Sequence, residues 1–409
     1  MRLHPFSFAL VLVCLTGCSD AVPGVEPLDG GSLSDVALDA VTDPSDSSAP
    51  DPLDTSSVSD AAEPMDTSSV SDAAPTLDAA DAESVDSAIP VDVFVEPDVA
   101  MDAQEEDVLA DLPDPIDPGP LAWDEVSESV ELEGGGLFPA KADLDIYLPE
   151  AEGKYPVVVF SHGFQLSPSD YSSYGEHLAS WGYVAILPSY PGSLIAPRSH
   201  AQLRDDLSAI VDWIEAEPAA LKGRADTTLV GLSGHSMGGK VSLLFAATDP
   251  RADAVFAIDP VDAGPPFAFN PGDYPSVAPE LMPDITAPLG IVGETTNSTG
   301  GGFGGACAPA DENFQQYYQA ATSPAVEIEM LGANHMSFLD DPNCGFACSA
   351  CPAGTDDTVL TRKLTQRMMI AFFEVQLKGD ALMTPWFTDW ETLEPGTFSL
   401  VSMQSKNGF

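Results

Sequence analysis

Gly234-His235-Ser236-Met237-Gly238 constrains this chain more than any other stretch. The residues before it, Thr228-Leu229-Val230-Gly231-Leu232, form a short apolar run and read as a buried strand. The residues after it, from Gly239 to Ala247, read as a helix packed on a sheet. A serine between two glycines at a strand-to-helix turn is a nucleophile elbow. The turn is so tight that a side chain at either flanking position would strike the adjacent strand or helix. The serine hydroxyl then stands above the sheet, at the positive end of the helix dipole. The five-residue pattern by itself is weak, and a Gly-rich turn without chemistry is the alternative that the rest of the chain must answer.

Composition divides the 409 residues into two parts. Between Arg2 and Lys141 there is no Lys or Arg, and residues 19–120 hold 27 acidic residues. This Asp, Ser, Ala and Pro-rich stretch has too little apolar surface to offset its ordering entropy and reads as a disordered stalk. Within it Asp54–Ala62 recurs as Asp66–Ala74, a low-complexity duplication with no apolar face to stack. From residue 121 onward 38 acids face 13 bases, a balance that repels nucleic acid and anionic membrane faces.

The amino terminus reads as a signal: a positive start at Arg2, then an apolar run, Phe6 to Leu15, too short to span a bilayer. Leu15-Thr16-Gly17-Cys18 resembles a bacterial lipobox, which implies cleavage before Cys18, lipidation of that cysteine and attachment to a membrane through it. Ser19 resembles the outer-membrane sorting signal of Gram-negative lipoproteins. The expected organisation is therefore a signal peptide at 1–17, a stalk at 18–120 and one catalytic domain at 121–409, exported and held at the cell envelope.

Inside that domain, Val126–Leu132 and Leu144–Leu148 read as an antiparallel edge pair. Pro156–Phe160, Val184–Leu187, Ala254–Ile258, Leu289–Val292 and Val326–Met330 read as further strands, the last of these closing the sheet. Helices are expected at Tyr171–Trp181, Leu203–Ile214 and Thr358–Gln376. Alternating strands and helices give a mostly parallel sheet with helices on both faces, and with the Gly234–Gly238 elbow the pattern resembles the α/β-hydrolase fold.

A serine hydroxyl needs an adjacent base, and the base needs an orienting acid; on this fold the chain order is Ser, acid, His. Of the histidines only His335 lies C-terminal to the elbow, in the loop after the last expected strand, and it is the candidate base. Asp259 is the favoured acid, because it ends its strand directly and Pro260 fixes the turn behind it; Asp262 and Glu294 are the alternatives. Two backbone N–H groups must meet the oxyanion, those of Met237 and Phe164. No metal or other cofactor is called for.

Several segments in the same order resemble the plant chlorophyllase pattern: Ser161–Phe164, Gly234–Lys240, Asp259-Pro260-Val261-Asp262, Cys307-Ala308-Pro309 and His335–Asp341. The resemblance spans about residues 125–376, and in that family the acid is the first Asp after the sixth strand, here Asp259. Platelet-activating-factor acetylhydrolases place it similarly, and the Ser-Met-Gly-Gly elbow also resembles bacterial cutinases. Chlorophyllases carry Arg where this chain has Met237, so the resemblance implies carboxyl-ester hydrolysis rather than chlorophyll as substrate. Cys307, Cys344, Cys348 and Cys351 suggest two disulfides in an exported chain, with three pairings open, and Cys348-x-x-Cys351 also has zinc-ligand spacing. The expected protein is a lipid-anchored serine esterase acting on a small-molecule or lipid ester. A lipase or polyester hydrolase is the second reading, and an inactive scaffold serving as a surface binding lipoprotein is the reading from another class.

Overall fold

The computed structural model describes residues 112–134, 140–192, 197–264, 270–300, 306–345 and 348–409. The signal segment, Cys18, the stalk up to residue 111 and the Gly-rich residues 301–305 lie outside them. Among the described residues nine strands form one sheet: β1 (Trp123–Leu132), β2 (Ala140–Pro149), β3 (Tyr155–Ser161), β4 (Val184–Ser189), β5 (Ala225–His235), β6 (Ala254–Ile258), β7 (Leu289–Gly293), β8 (Ala325–Met330) and β9 (Val401–Lys406). The order is β1-β2-β4-β3-β5-β6-β7-β8-β9. The pairs from β4 through β8 are parallel, while β1 and β2 at one edge and β9 at the other are antiparallel.

The continuous apolar runs follow from burial on both faces. Val157 and Val159 of β3, with Val255 and Ala257 of β6, face a core completed by α2 (His200–Glu215) and α3 (Met237–Thr248). Val158, Phe160, Phe256 and Ile258 point the other way, under α1 (Ser172–Ser180) and α5 (Thr358–Gln376). Each such side chain contributes roughly 1.5–3 kcal/mol on leaving water. Leu203, Leu207, Ile210, Val211 and Ile214 make the buried stripe of α2. That helix starts at Ser199, whose Oγ accepts from Gln202 N–H at 3.1 Å while Gln202 Oε1 accepts from Ser199 N–H at 3.0 Å, a capping box. Asp357 caps α5, its Oδ1 accepting from Val359 and Leu360 N–H.

β8 is not the last strand. β9 returns from the C-terminus to pair with it, Ile328 opposite Met403. Only Val401 of β9 is buried, so the strand has no apolar alternation by which a sequence would reveal it. The helical inventory also gains α4 (Phe314–Ala320) and two single turns, α6 (Pro385–Thr388) and α7 (Trp390–Leu393).

The folded body begins before Leu121, in residues expected to belong to the stalk. Gly119 N–H donates to Ser180 Oγ at 2.8 Å, and Pro115 O lies 2.7 Å from His177 Nε2. The anchor is Arg367 of α5, 2% exposed, whose guanidinium forks onto both oxygens of Asp114 at 2.7 Å and meets Glu394 at 2.8 Å. It also stacks 4.7 Å above the Trp386 ring. A planar fork with two carboxylates and an aromatic face is a site for Arg and not Lys. Arg367→Ala should therefore lower unfolding free energy by about 3 kcal/mol in urea titration. Asp114→Ala should cost about 1 kcal/mol, because Asp114 is partly exposed and Glu394 still faces the guanidinium.

Candidate active site

The candidate residues lie at the C-terminal ends of the central strands. β5 runs into Ser236, the residue before α3, with φ 55° and ψ −119°. A non-glycine residue holds such a backbone only when its surroundings over-determine it. Here Ser236 N–H donates to Ile258 O at 2.9 Å, and Lys240 N–H returns to Ser236 O at 3.0 Å. The flanking glycines are required by space. A Cβ on Gly238 would overlap the carbonyl of Ser161, and one on Gly234 would lie 2.5 Å from the same oxygen.

Asp259 follows β6 directly, with φ 41°, and its N–H donates to Val292 O at 2.6 Å. A Cβ on Gly293, at the end of β7, would come within 2.8 Å of Asp259 Oδ1. His335 sits in the loop after β8. Its Nδ1 is 2.6 Å from Asp259 Oδ2 and its Nε2 is 2.9 Å from Ser236 Oγ. Asp259 is fully buried and His335 is 5% exposed. The three residues named from the sequence thus meet in one hydrogen-bonded line. His235, Asp259 and His335 also bring ligand atoms within 4.8 Å of one another, but every imidazole nitrogen in that cluster has a partner.

The two alternative acids do other work. Asp262 pairs with Lys240, fully buried, at 3.1 Å and accepts from the N–H groups of Val277 and Ala278. Glu294, after β7, is fully buried beside Asp259; Oε2 accepts from Asn297 N–H at 2.7 Å and Oε1 has no partner. Burial first, and the charge of Asp259 second, push its carboxyl up to about 8.

Two residues that the sequence reading did not single out lie against these groups. His235 lies between the loops: its Nε2–H donates to His335 O at 2.8 Å, which leaves Nδ1 to accept from Tyr171 Oη–H at 2.7 Å. The same Tyr171 oxygen accepts from Gly163 N–H at 3.3 Å. Burial holds the His235 imidazole far below its ordinary pKa and therefore neutral. Asn297 is the other: its Oδ1 accepts from the backbone N–H of His335 at 3.0 Å. Nothing in the local sequence of either marks this role, since both act across the fold.

Phe164 and Met237 border one cavity of about 210 Å³, shared with Leu166, Tyr190, Leu203 and Arg198. Met237 is the first residue of α3, where N–H groups have no intrahelical acceptor. Arg198 is neutralised by Asp206, its Nε 2.8 Å from Oδ2 and a second contact from Nη2 to Oδ1. The cysteines pair as Cys307–Cys351 and Cys344–Cys348, with Cα separations of 5.8 and 5.4 Å. Cys348 and Cys351 therefore belong to different bridges and do not form a zinc pair.

Known proteins are similar to this chain in sequence. The chlorophyllase family profile matches residues 121–404. Chlorophyllase-1 of Arabidopsis thaliana is 29% identical over 266 residues, covering 61% of this chain and 80% of that protein. Chlorophyllase-2 of the same plant is 25% identical over 248 residues, covering 57% and 76%. Cutinase est2 of Thermobifida alba is 26% identical over 195 residues, covering 47% and 56%. With an elbow serine on a mostly parallel sheet and a profile match over residues 121–404, the chain belongs to the chlorophyllase family and is a carboxylic ester hydrolase of the α/β-hydrolase fold.

Proposed function

We propose that this protein is an exported, lipid-anchored serine esterase that works through a Ser236–His335–Asp259 triad and an acyl-enzyme. The observation that carries the reading is the unbroken line from Asp259 through His335 to Ser236, at 2.6 and 2.9 Å. Ser236 Oγ attacks the ester carbonyl while His335 Nε2 takes its proton. Asp259 holds the imidazole in the tautomer that leaves Nε2 free to accept, and it faces the imidazolium that forms. The N–H groups of Met237 and Phe164 receive the oxyanion. Collapse expels the alcohol, which leaves with the proton from Nε2. Water then attacks the acyl-enzyme by the same route in reverse and restores Ser236.

The proposed acyl or alcohol pocket is the cavity beside Phe164 and Met237. Its one lining cation, Arg198, is already spent on Asp206, and Met237 stands where chlorophyllases carry Arg, so an uncharged, apolar ester fits best. A polyester hydrolase is the second reading, favoured by the similarity to Cutinase est2. Anchorage is proposed through a lipidated Cys18, with residues 19–111 as the tether. Among the described residues no helix is long and apolar enough to cross a membrane.

In p-nitrophenyl ester assays on the full chain, Ser236→Ala should lower kcat by about 10⁶-fold and Asp259→Asn by about 10⁴-fold. Glu294→Gln should lower it by less than about tenfold, since only Asp259 reaches the His335 ring. The profile from acetate to palmitate separates esterase from lipase or polyester hydrolase. A second outcome concerns stability. Glu294 binds its proton more tightly folded than unfolded, from an unfolded value of about 4.3 to a folded value of about 8. Its contribution is present below about pH 4.3 and is lost as pH rises through 8. Glu294→Gln removes that loss, so unfolding free energies measured across this window should move in the variant's favour as pH rises.

A further inference from the structure

Asn297 is fully buried in the loop after β7, and all four of its polar groups are engaged. Its N–H donates to Glu294 Oε2 at 2.7 Å and its carbonyl accepts from Ala308 N–H at 3.2 Å. Its Nδ2 donates to Pro352 O at 3.0 Å, and its Oδ1 accepts the His335 N–H at 3.0 Å. Ala308 follows Cys307 and Pro352 follows Cys351, and these two cysteines are bridged. The disulfide therefore closes a bracket around Asn297 across 44 residues of chain. On its other side the His335 carbonyl is held by His235 Nε2, so the peptide of the base is fixed at both its N–H and its C=O.

We propose that Asn297 is a positioning residue for the His335 base, and that the Cys307–Cys351 bridge holds Asn297 in place. This rests on the triad reading above. Asp259 fixes the His335 ring only relative to itself. The ring's distance to Ser236 depends on where the loop backbone lies, and a slip of about 1 Å costs on the order of 10²-fold in rate. The other bridge, Cys344–Cys348, joins residues four apart; its contact with the first is the backbone bond from Cys351 N–H to Cys348 O at 3.4 Å, which a serine at 348 leaves in place.

The test uses the full chain and p-nitrophenyl acetate. Asn297→Ala and the double variant Cys307→Ser/Cys351→Ser should each lower kcat by about 10- to 100-fold, with KM within about twofold. Both should shift the acidic limb of the kcat/KM pH profile, a readout that mere loss of stability does not move. Cys344→Ser/Cys348→Ser should stay within about twofold of wild type. Dithiothreitol should act likewise on wild type: each bridge takes up two electrons and two protons to give two thiols, and the reagent closes to its cyclic disulfide. Activity should return on reoxidation, and the Cys307→Ser/Cys351→Ser variant should be indifferent to the reagent. Unchanged kcat in natively folded variants, beside an inactive Ser236→Ala, overturns the positioning role and leaves the triad standing. Wild-type turnover by Ser236→Ala overturns the triad reading itself. If Asn297→Ala does not fold, full wild-type activity after alkylation shows the Cys307 and Cys351 thiols free overturns the proposal.

Discussion

The site depends on one close backbone approach, that of the Ser161 carbonyl to Gly234 and Gly238. Any side chain on either glycine would push β3 away from the elbow. The two strands pair in parallel at this point, Ser161 opposite Gly234. That register delivers the Ser161–Phe164 loop beside Ser236, so one packing constraint sets both the strained serine and the proposed second oxyanion donor. Ser161 Oγ, 2.9 Å from Tyr190 Oη, extends the tie to the segment after β4. The Gly-x-Ser-x-Gly pattern records a spatial requirement of β3 as much as a chemical one of the serine.

Around this contact the buried polar groups are satisfied without adding charge. Gly163 N–H, Tyr171, His235 and the His335 carbonyl form a chain in which each donor has one acceptor. A partly paired version of the same chain in so dry a place would cost several kcal/mol. Neutrality matters as well as pairing. The His235 ring centroid lies 4.6 Å from that of His335, and a charge there would oppose the imidazolium of the proposed reaction. Burial keeps His235 neutral, which turns an apparently hazardous neighbour into a spacer and a hydrogen-bond tie.

What the sequence discloses is what local pattern controls. Runs such as Val157–Phe160 and Ala254–Ile258 are apolar at every position because both faces of the sheet are covered, and they were legible for that reason. The helix at Leu203–Ile214 was legible from its apolar spacing. Chain order singled out Ser236 and His335. β9 carried no signal because it is an edge strand with one buried residue. The beginning of the body was hidden because Asp114 has an acidic, Pro-rich neighbourhood and becomes structural only through Arg367, 253 residues away. Asn297 and Tyr171 were hidden for the same reason, and so was the cysteine pairing, which depends on loops brought together by the sheet.

The choice among three carboxylates shows how packing decides what pattern leaves open. Asp262 is two residues past Pro260 and turned onto Lys240, where it also gathers backbone N–H groups; it serves the elbow helix. Glu294 follows the next strand and lies close enough to Asp259 to feel its charge. Two carboxylates at adjacent strand ends in a dry site cannot both be charged cheaply. Asp259 Oδ2 faces an imidazole N–H at 2.6 Å, whereas Glu294 has backbone N–H groups on one oxygen and nothing on the other. Burial and the charge of Asp259 therefore raise the Glu294 carboxyl, and of the three acids only Asp259 reaches the His335 ring. Glu294 then contributes through its Oε2, which fixes Asn297 and thereby the loop on which His335 stands.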